Sequence, residues 1–418
     1  MPPENGKEKA MNHKKIKTQN TEDKSRERPL ISVEEAEKII ASFPVTVRSE
    51  NVPLLAAQNR ILAQDIASPF AIPEFDKSAM DGYAYISDDT SPAYKIVETI
   101  AAGMPPKFTI TPGQCAKIMT GAMLPPGADR VVKRECTSEE NGFMKIVAED
   151  RNRNIRQKGE DLQAGQLILT KGTLLQAAPI ALLASLGLAE VPTARLPRVG
   201  IITTGSELAE PGSPLGPGQI YNSNYYSLAA QVNALGAEPL TMRRVADNAA
   251  ATVEAIASCL DNCEILIISG GVSAGDFDYV PAAMNKAGIT LHFEKIAVQP
   301  GMPTVFGSRK EKIVFGLPGN PVSTFVIFEI FIKPLLLRLM GHDYQPLVAP
   351  AVMTETYSRT QGARTAFVPV RYFQGRATVL AYHGSAHLHA LSRANALLRV
   401  PAGQLSIPAG STVDVRFI

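Results

Sequence analysis

Between residues 198 and 340 the chain alternates strand-like and helix-like runs, and this pattern constrains its folding more than any other. "RVGIITTG" is apolar almost throughout, and "SNYYSLAAQVNALG" follows with a helical pattern that ends at Gly236. The pattern repeats with "EPLTMRRVA" and "NAAATVEAIASCL", then with "EILIISGG" and "DYVPAAMNKAG". "ITLHFEKIAV" adds a strand, "PTVFGSRKEKIVFGLPG" reads as a hairpin, and a long helix is expected from about Val322. Strands that are apolar on both faces must be covered on both faces. That requirement points to a parallel, doubly wound sheet flanked by helices. Such sheets bind ligands in the crevice beyond the carboxyl ends of their strands. The stretches expected there are "TTGSEL", "SGGVSAGDFDY" and "GLPGNPVS".

The chain has 418 residues, too many for one core. "ISVEEAEKIIASF" carries Ser32 three residues before Glu35 and then apolar residues at helical spacing, a capping box that opens a first helix. Residues 51–155 are rich in Pro, Gly and short β-like runs such as "AYKIVETI" and "RVVKRE", which read as a β-rich domain. "LLQAAPIALLASLGLAEV" returns to helix. Residues 346–418 hold short strands again, "RTAFVPVRYF", "ATVLAYH" and "TVDVRFI" among them, and read as a small barrel or sandwich. The fold class is therefore multidomain α/β: a doubly wound, mostly parallel sheet domain at 196–345, a β-rich domain and a C-terminal β-barrel-like domain.

Hydrophobic residues make up 45% and charged residues 20%, as in a soluble globular protein. No apolar run approaches the roughly 18–20 residues that span a bilayer. "VSTFVIFEIFIKPLLLRLMG" is interrupted by Glu329, Lys333 and Pro334. Residues 1–29 are polar, lack the apolar stretch of a secretory leader, and read as a disordered, solvated tail. The whole chain carries a formal charge of +2. A basic stripe for nucleic acid is not indicated, and no membrane association is expected. Cys115, Cys136, Cys259 and Cys263 form no CxxC pair, so reduced thiols and a cytoplasmic location are expected. The His383, His387 and His389 cluster has no acidic neighbour and reads as a poor metal site.

At the first crevice segment, Gly205 permits a tight turn, and Thr204 and Ser206 offer hydroxyls to a phosphate or to a helix end. At the second, backbone N–H groups of Gly270, Gly271 and Ser273 suit an anion. The segment is neither a P-loop nor GxGxxG. Asp276 and Asp278, two residues apart, either hold Mg²⁺ beside a phosphate or include a helix cap. At the third, Gly319 and Asn320 suit positive φ, Pro321 suits a first helical turn, and Ser323 sits where its hydroxyl meets an oxyanion. The alternative is a rigid helix start with no ligand. Further loops, "IPEFDKSAMDGYAY", "IMTGAMLPPGAD" and "NIRQKGEDL", carry Asp76, Asp81, Thr120, Glu160 and Asp161, each of which alone also suits a turn.

In order, "FDKSAMDGYA", "IMTGAMLPPGAD", "RQKGEDLQAG", "TTGSEL", "SGGVSAGDFDY", "PGMPTVFG" and "GLPGNPVS" closely resemble the molybdopterin molybdotransferases, the MoeA and gephyrin E-domain family, over roughly 30–418. The resemblance implies four domains, one of them discontinuous at 30–50 and 156–195. It implies a homodimer that takes adenylated molybdopterin and molybdate, uses a divalent cation such as Mg²⁺, and releases AMP. Molybdopterin adenylyltransferase and molybdoenzymes would be its other partners. The implied catalytic positions are Asp81, Thr120, Glu160, Asp247, Asp278 and Lys295, with the metal on Asp247 and Asp278. Pro303, Ser323 and Ser385 would lie near the oxyanion. The first three would reach the partner subunit's cleft.

One departure matters. Relatives usually read "KPGKP" where this chain has Gln299 and Met302 in "QPGMP". Pro369 also stands where some relatives have Arg, with Arg364 and Arg371 close by. An amide and a thioether hold a dianion less well than two ammonium groups. Either Lys295 and Arg364 compensate, or oxyanion affinity falls or shifts, for instance toward tungstate. The competing readings are a non-catalytic scaffold that keeps the fold and an adenylyl-transfer module acting one step earlier.

Overall fold

The computed structural model describes residues 29–245, 248–273, 279–380 and 387–418. The alternating segment builds six strands: β1 (Arg198–Thr204), β2 (Glu238–Val245), β3 (Ile265–Ser269), β4 (Thr290–Phe293), β5 (Val305–Arg309) and β6 (Lys312–Leu317). Their order is β2-β1-β3-β6-β5-β4, parallel from β2 to β6 and antiparallel at β5 and β4. The sheet is therefore mostly parallel, with the expected β5–β6 hairpin on one side. Helices α1 (Ser223–Ala234), α2 (Ala249–Leu260), α3 (Val280–Lys286) and α4 (Pro321–Ile327) connect the strands or follow them.

Side chains alternate across a strand, so each strand feeds two cores. Val199, Ile201, Ile265, Ile267 and Phe315 bury with Leu228 and Val232 of α1 and with Val326 and Ile327 of α4. Ile202, Leu266, Ile268 and Val314 bury on the other face with Ile256 and Leu260 of α2 and Val280 and Met284 of α3. The sheet is doubly wound, as its apolar strands required. Local chemistry sets the helix ends. The Asn222 side chain accepts from Tyr225 N at the start of α1, Asn248 accepts from Ala250 N at the start of α2, and Gly236 at φ 75° closes α1.

The helix expected from Val322 continues past α4 through a π turn at Phe328–Ile332 into Lys333–Leu339. The π turn buries Glu329, which accepts from Gln231 Nε2 at 2.9 Å and Lys333 Nζ at 2.8 Å.

The first helix, Val33–Ser42, starts at Ser32, whose hydroxyl accepts from Glu35 N at 3.0 Å. Its buried Val33, Ala36 and Ile40 join the α1/α4 core of the sheet, and Arg338 donates to the carbonyls of Ile40 and Phe43. This helix therefore packs on the α/β domain, apart from residues 156–195 with which the sequence reading grouped it. An amphipathic stripe shows which face is buried but not what covers it. A separate small module joins Ser49–Pro53 with Glu190–Ala194 in an antiparallel ribbon. Around it Ala57, Leu62, Leu175, Leu183 and Val191 form a small core, so residues 51–67, read as part of the β-rich domain, pack here.

The β-rich domain centres on a sheet of Gly82–Tyr85, Tyr94–Ile100, Gln114–Ile118, Arg130–Lys133, Thr137–Glu140 and Phe143–Ile146. At the C-terminus five strands, Val348–Met353, Thr365–Phe373, Arg376–Val379, Ala396–Val400 and Thr412–Phe417, close on themselves. Closure follows because Thr365–Phe373 pairs with both Arg376–Val379 and Ala396–Val400. Closure removes exposed sheet edges. The pair Val298–Gln299 adds in parallel to Thr365–Ala366 and so fastens the barrel to the α/β domain.

Candidate active site

At the carboxyl ends of β1, β3 and β6 three turns meet. Gly270 adopts φ 99°, and a Cβ there would lie 2.6 Å from Thr204 O and 2.7 Å from Thr204 Oγ1, so only glycine allows this approach. Asn224, from the first turn of α1, donates through Nδ2 to Ser269 Oγ at 2.9 Å and Gly319 O at 2.7 Å. Thr324 Oγ1 donates to Pro318 O at 2.7 Å. Asn222 Nδ2 donates to the buried Thr203 Oγ1 at 2.9 Å. This network fixes the three turns against one another. At its edge Thr204 Oγ1 and Asn224 Oδ1 are shut from solvent and have no hydrogen-bond partner among the described residues, as is also true of Thr193 Oγ1 elsewhere. Buried polar atoms are rarely left so, and these two leave hydrogen-bonding capacity unspent beside the turns.

From the turns a cavity of about 950 Å³ opens toward the barrel. One wall carries Ser273, Asn320 and Ser323, the floor carries Gln299, Met302 and Pro303, and the barrel side carries Arg359 and Arg364. Ser323 is buried in the first turn of α4, which starts from Asn320 with no side-chain cap bond. Gly301 is also fixed by contact: at φ 110° its Cβ would lie 2.6 Å from Ile327. Arg359 is held by three carbonyls, those of Gln404 at 2.8 Å, Pro401 at 2.6 Å and Arg364 at 2.8 Å. Among the described lining residues, Arg359 and Arg364 face the single carboxylate of Glu207, so the cavity favours an anion.

Of the sequence-predicted residues, Ser273, Pro303, Gly319, Asn320 and Ser323 line this cavity. Thr204, Gly205, Gly270 and Gly271 form the turns above it, while Ser206 is exposed. The expectation of positive φ at Gly319 and Asn320 is overturned. Asn320 has φ −68° and ψ 124°, and Gly319 is outside the left-handed region. Their place is set by the Asn224–Gly319 hydrogen bond. Lys295 is half-buried beside the N-terminal segment, where its carbonyl accepts from Ile31 N at 3.2 Å, and it is not among the cavity's lining. Asp247, Asp276, Asp278, His383 and Ser385 lie outside the described residues. Among the described residues no cluster of three His, Cys, Asp or Glu side chains could hold an ion.

Asp81 and Thr120 come together on the β-rich domain. Thr120 donates to Asp81 Oδ1 from its hydroxyl and its backbone N–H, both at 2.7 Å. The Thr120 hydroxyl, then its N–H, holds the Asp81 carboxyl below the usual range, with desolvation opposing and Arg134 assisting. Glu160 accepts from Arg156 Nη1 at 3.1 Å and Gln157 N at 3.0 Å. None of these three lines the cavity of the same chain. Sequence reasoning missed Arg359 and the Asn222–Asn224 pair. An isolated Arg between short strands gives no signal, and Asn before a helix reads as a cap.

Three family models match in order: the MoeA N-terminal region (domain I and II) at 31–187, a probable molybdopterin binding domain at 200–338, and the MoeA C-terminal region (domain IV) at 351–418. The molybdopterin molybdenumtransferase of Bacillus subtilis is 37% identical over 405 residues, covering 93% of this chain and 94% of its own. Molybdopterin molybdenumtransferase 2 of Mycobacterium tuberculosis H37Rv is 37% identical over 403 residues, covering 92% and 98%. A crystal structure of the molybdopterin biosynthesis MoeA protein of Pyrococcus horikoshii superposes with a TM-score of 0.82 at 32% identity, covering 93% of this chain and 99% of its own.

Proposed function

The chain belongs to the molybdopterin molybdenumtransferase (MoeA) family, and we propose that it transfers molybdenum from molybdate to adenylated molybdopterin with release of AMP. As a family member it is a transferase of molybdenum cofactor biosynthesis, and the likeness favours this over the scaffold reading. The observation that carries the proposal to this site is the cavity itself, where Ser273, Asn320, Ser323, Arg359 and Arg364 line one space.

The chain's own residues then divide the work. The Gly270–Gly271 turn brings backbone close to the phosphates, and the Thr204 hydroxyl gains a partner when they bind. Ser323, Arg359 and Arg364 take the oxyanion on the far side of the cavity, Arg359 being pre-positioned by its three carbonyls. Gln299 and Met302 supply no charge there, so the arginines carry the electrostatic part. The barrel forms one side of the crevice through Arg359, Arg364 and Phe367. Asp247 and Asp278, hard oxygen donors that follow β2 and β3, would hold Mg²⁺, which neutralises phosphate charge when bound. The exposed pairing of Asp81 with Thr120, neither of which lines its own chain's cavity, supports a homodimer in which Asp81, Thr120 and Glu160 reach the partner's site. Molybdopterin adenylyltransferase would supply the substrate and molybdoenzymes would take the product. No helix among the described residues is long and apolar enough to cross a membrane.

The test is AMP release from adenylated molybdopterin by purified protein, with and without molybdate. Molybdate-dependent release is expected, and Asp278→Ala is expected to abolish it while the fold survives. Folded wild-type protein that releases no AMP would sink the proposal.

A further inference from the structure

We propose that the opposite, amino-terminal edge of the sheet carries a second anion site, a pocket for one tetrahedral dianion of the phosphate or sulfate type. The pocket holds about 130 Å³. A water's share of liquid volume is roughly 30 Å³, so the space suits a few waters or one small oxyanion. Arg48, Arg195, Arg198 and Lys312 line it against only Glu264 and Glu311, leaving a local charge of +2.

The two carboxylates do not satisfy the cations. Arg195 and Arg198 share Glu264 at 3.6 and 3.7 Å, longer than a hydrogen bond, and Glu264 Oε2 is already taken by Arg198 N at 2.7 Å. Arg48 approaches Glu311 only to 3.5 Å. Lys312 Nζ donates to Cys263 O at 2.6 Å. Arg198 Nε, the atom 3.7 Å from Glu264 Oε2, has no hydrogen-bond partner among the described residues. Converging guanidinium groups with unspent donors are what a tetrahedral dianion meets best, because each planar fork matches two of its oxygens.

The place gives the site a consequence. The chain leaves the α/β domain through 44–48 and returns through 195–198, and these two crossings touch where Arg195 N donates to Arg48 O at 2.7 Å. An anion between Arg48 and the Arg195–Arg198 pair ties both crossings together. Its binding therefore steadies the Ser49–Pro53/Glu190–Ala194 ribbon against the sheet, independently of the crevice.

The test titrates phosphate, sulfate and chloride into the full chain at constant ionic strength, reading melting temperature and heat. Phosphate and sulfate are expected to raise the melting temperature saturably, and chloride is not. Arg195→Gln with Arg198→Gln is expected to weaken the response about tenfold or more, whereas Arg364→Gln in the crevice leaves it in place. An equal response to chloride, or a response lost with Arg364→Gln and kept in the double variant, overturns the proposal. A selenate soak of wild-type crystals stands even if the double variant fails to fold. An anomalous peak among Arg48, Arg195 and Arg198 is expected, and no peak there overturns the site.

Discussion

The Asp81–Thr120 pair and the crevice at Thr204 satisfy polar atoms in opposite ways. Asp81 is open to water, yet its Oδ1 takes both donors of Thr120 at 2.7 Å. Thr204 Oγ1 and Asn224 Oδ1 are shut from water and have no hydrogen-bond partner among the described residues. Water can always satisfy an exposed group, so an exposed carboxylate bound this firmly is fixed in direction rather than merely stabilised. A buried group has no such recourse, and leaving it unmade costs about 1–3 kcal/mol. One region presents a finished group outward, while the other keeps hydrogen-bonding capacity unspent. The two halves suit a site assembled from different surfaces.

The largest expected effect comes from filling the crevice. Gly270→Ala places a Cβ 2.6 Å from Thr204 O at φ 99°. The strain is expected to cost about 1–3 kcal/mol in denaturant unfolding, and displacement of the turn should lower AMP release by about a hundredfold or more. Wild-type turnover would mean that the turns need not meet as they do here. Next, Arg364→Gln removes one of the two cations among the described lining residues and is expected to raise the molybdate KM about tenfold. An unchanged KM would move the oxyanion elsewhere. Smaller again is Thr204→Val. If its hydroxyl serves only a ligand, unfolding stability holds or rises by up to about 1 kcal/mol while turnover falls about tenfold. Lost stability with full activity would reverse the comparison.

The sequence made the sheet and its crevice legible because apolar strands and glycine turns follow from local chemistry. Gly270, Ser273 and Ser323 were found that way. What stayed hidden depends on contacts distant in sequence. Arg359 is fixed by carbonyls at 364, 401 and 404, and no local pattern announces that. Asn224 reaches Ser269 and Gly319 across 45 and 95 residues. The Val33–Ser42 helix was legible from its cap, but its packing partner was not, since an apolar stripe fits any complementary face. At Asn320 the residue type suggested a left-handed turn, whereas it is an extended N-cap. The resemblance carried Asp81 and Thr120, and the structure supplied the bond between them.

That bond gives the smallest and most selective test. Thr120's hydroxyl is the main cause that holds the Asp81 carboxyl below its ordinary range, with the Thr120 N–H second. A carboxylate depressed in the folded state adds stability above its unfolded pKa of about 3.9, and that stability is lost as pH falls through the lower folded value. Thr120→Val removes the main cause and keeps the N–H, so the Asp81 pKa should move up toward the ordinary value without reaching it. Carboxyl NMR titration reads the shift directly, and Thr120→Ser should restore it. If Asp81 serves the partner's cavity, the acid limb of kcat/KM moves up in the same variant while unfolding at neutral pH barely changes. A limb that stays put while the titration shifts would leave Asp81 fixed in direction but idle in the reaction.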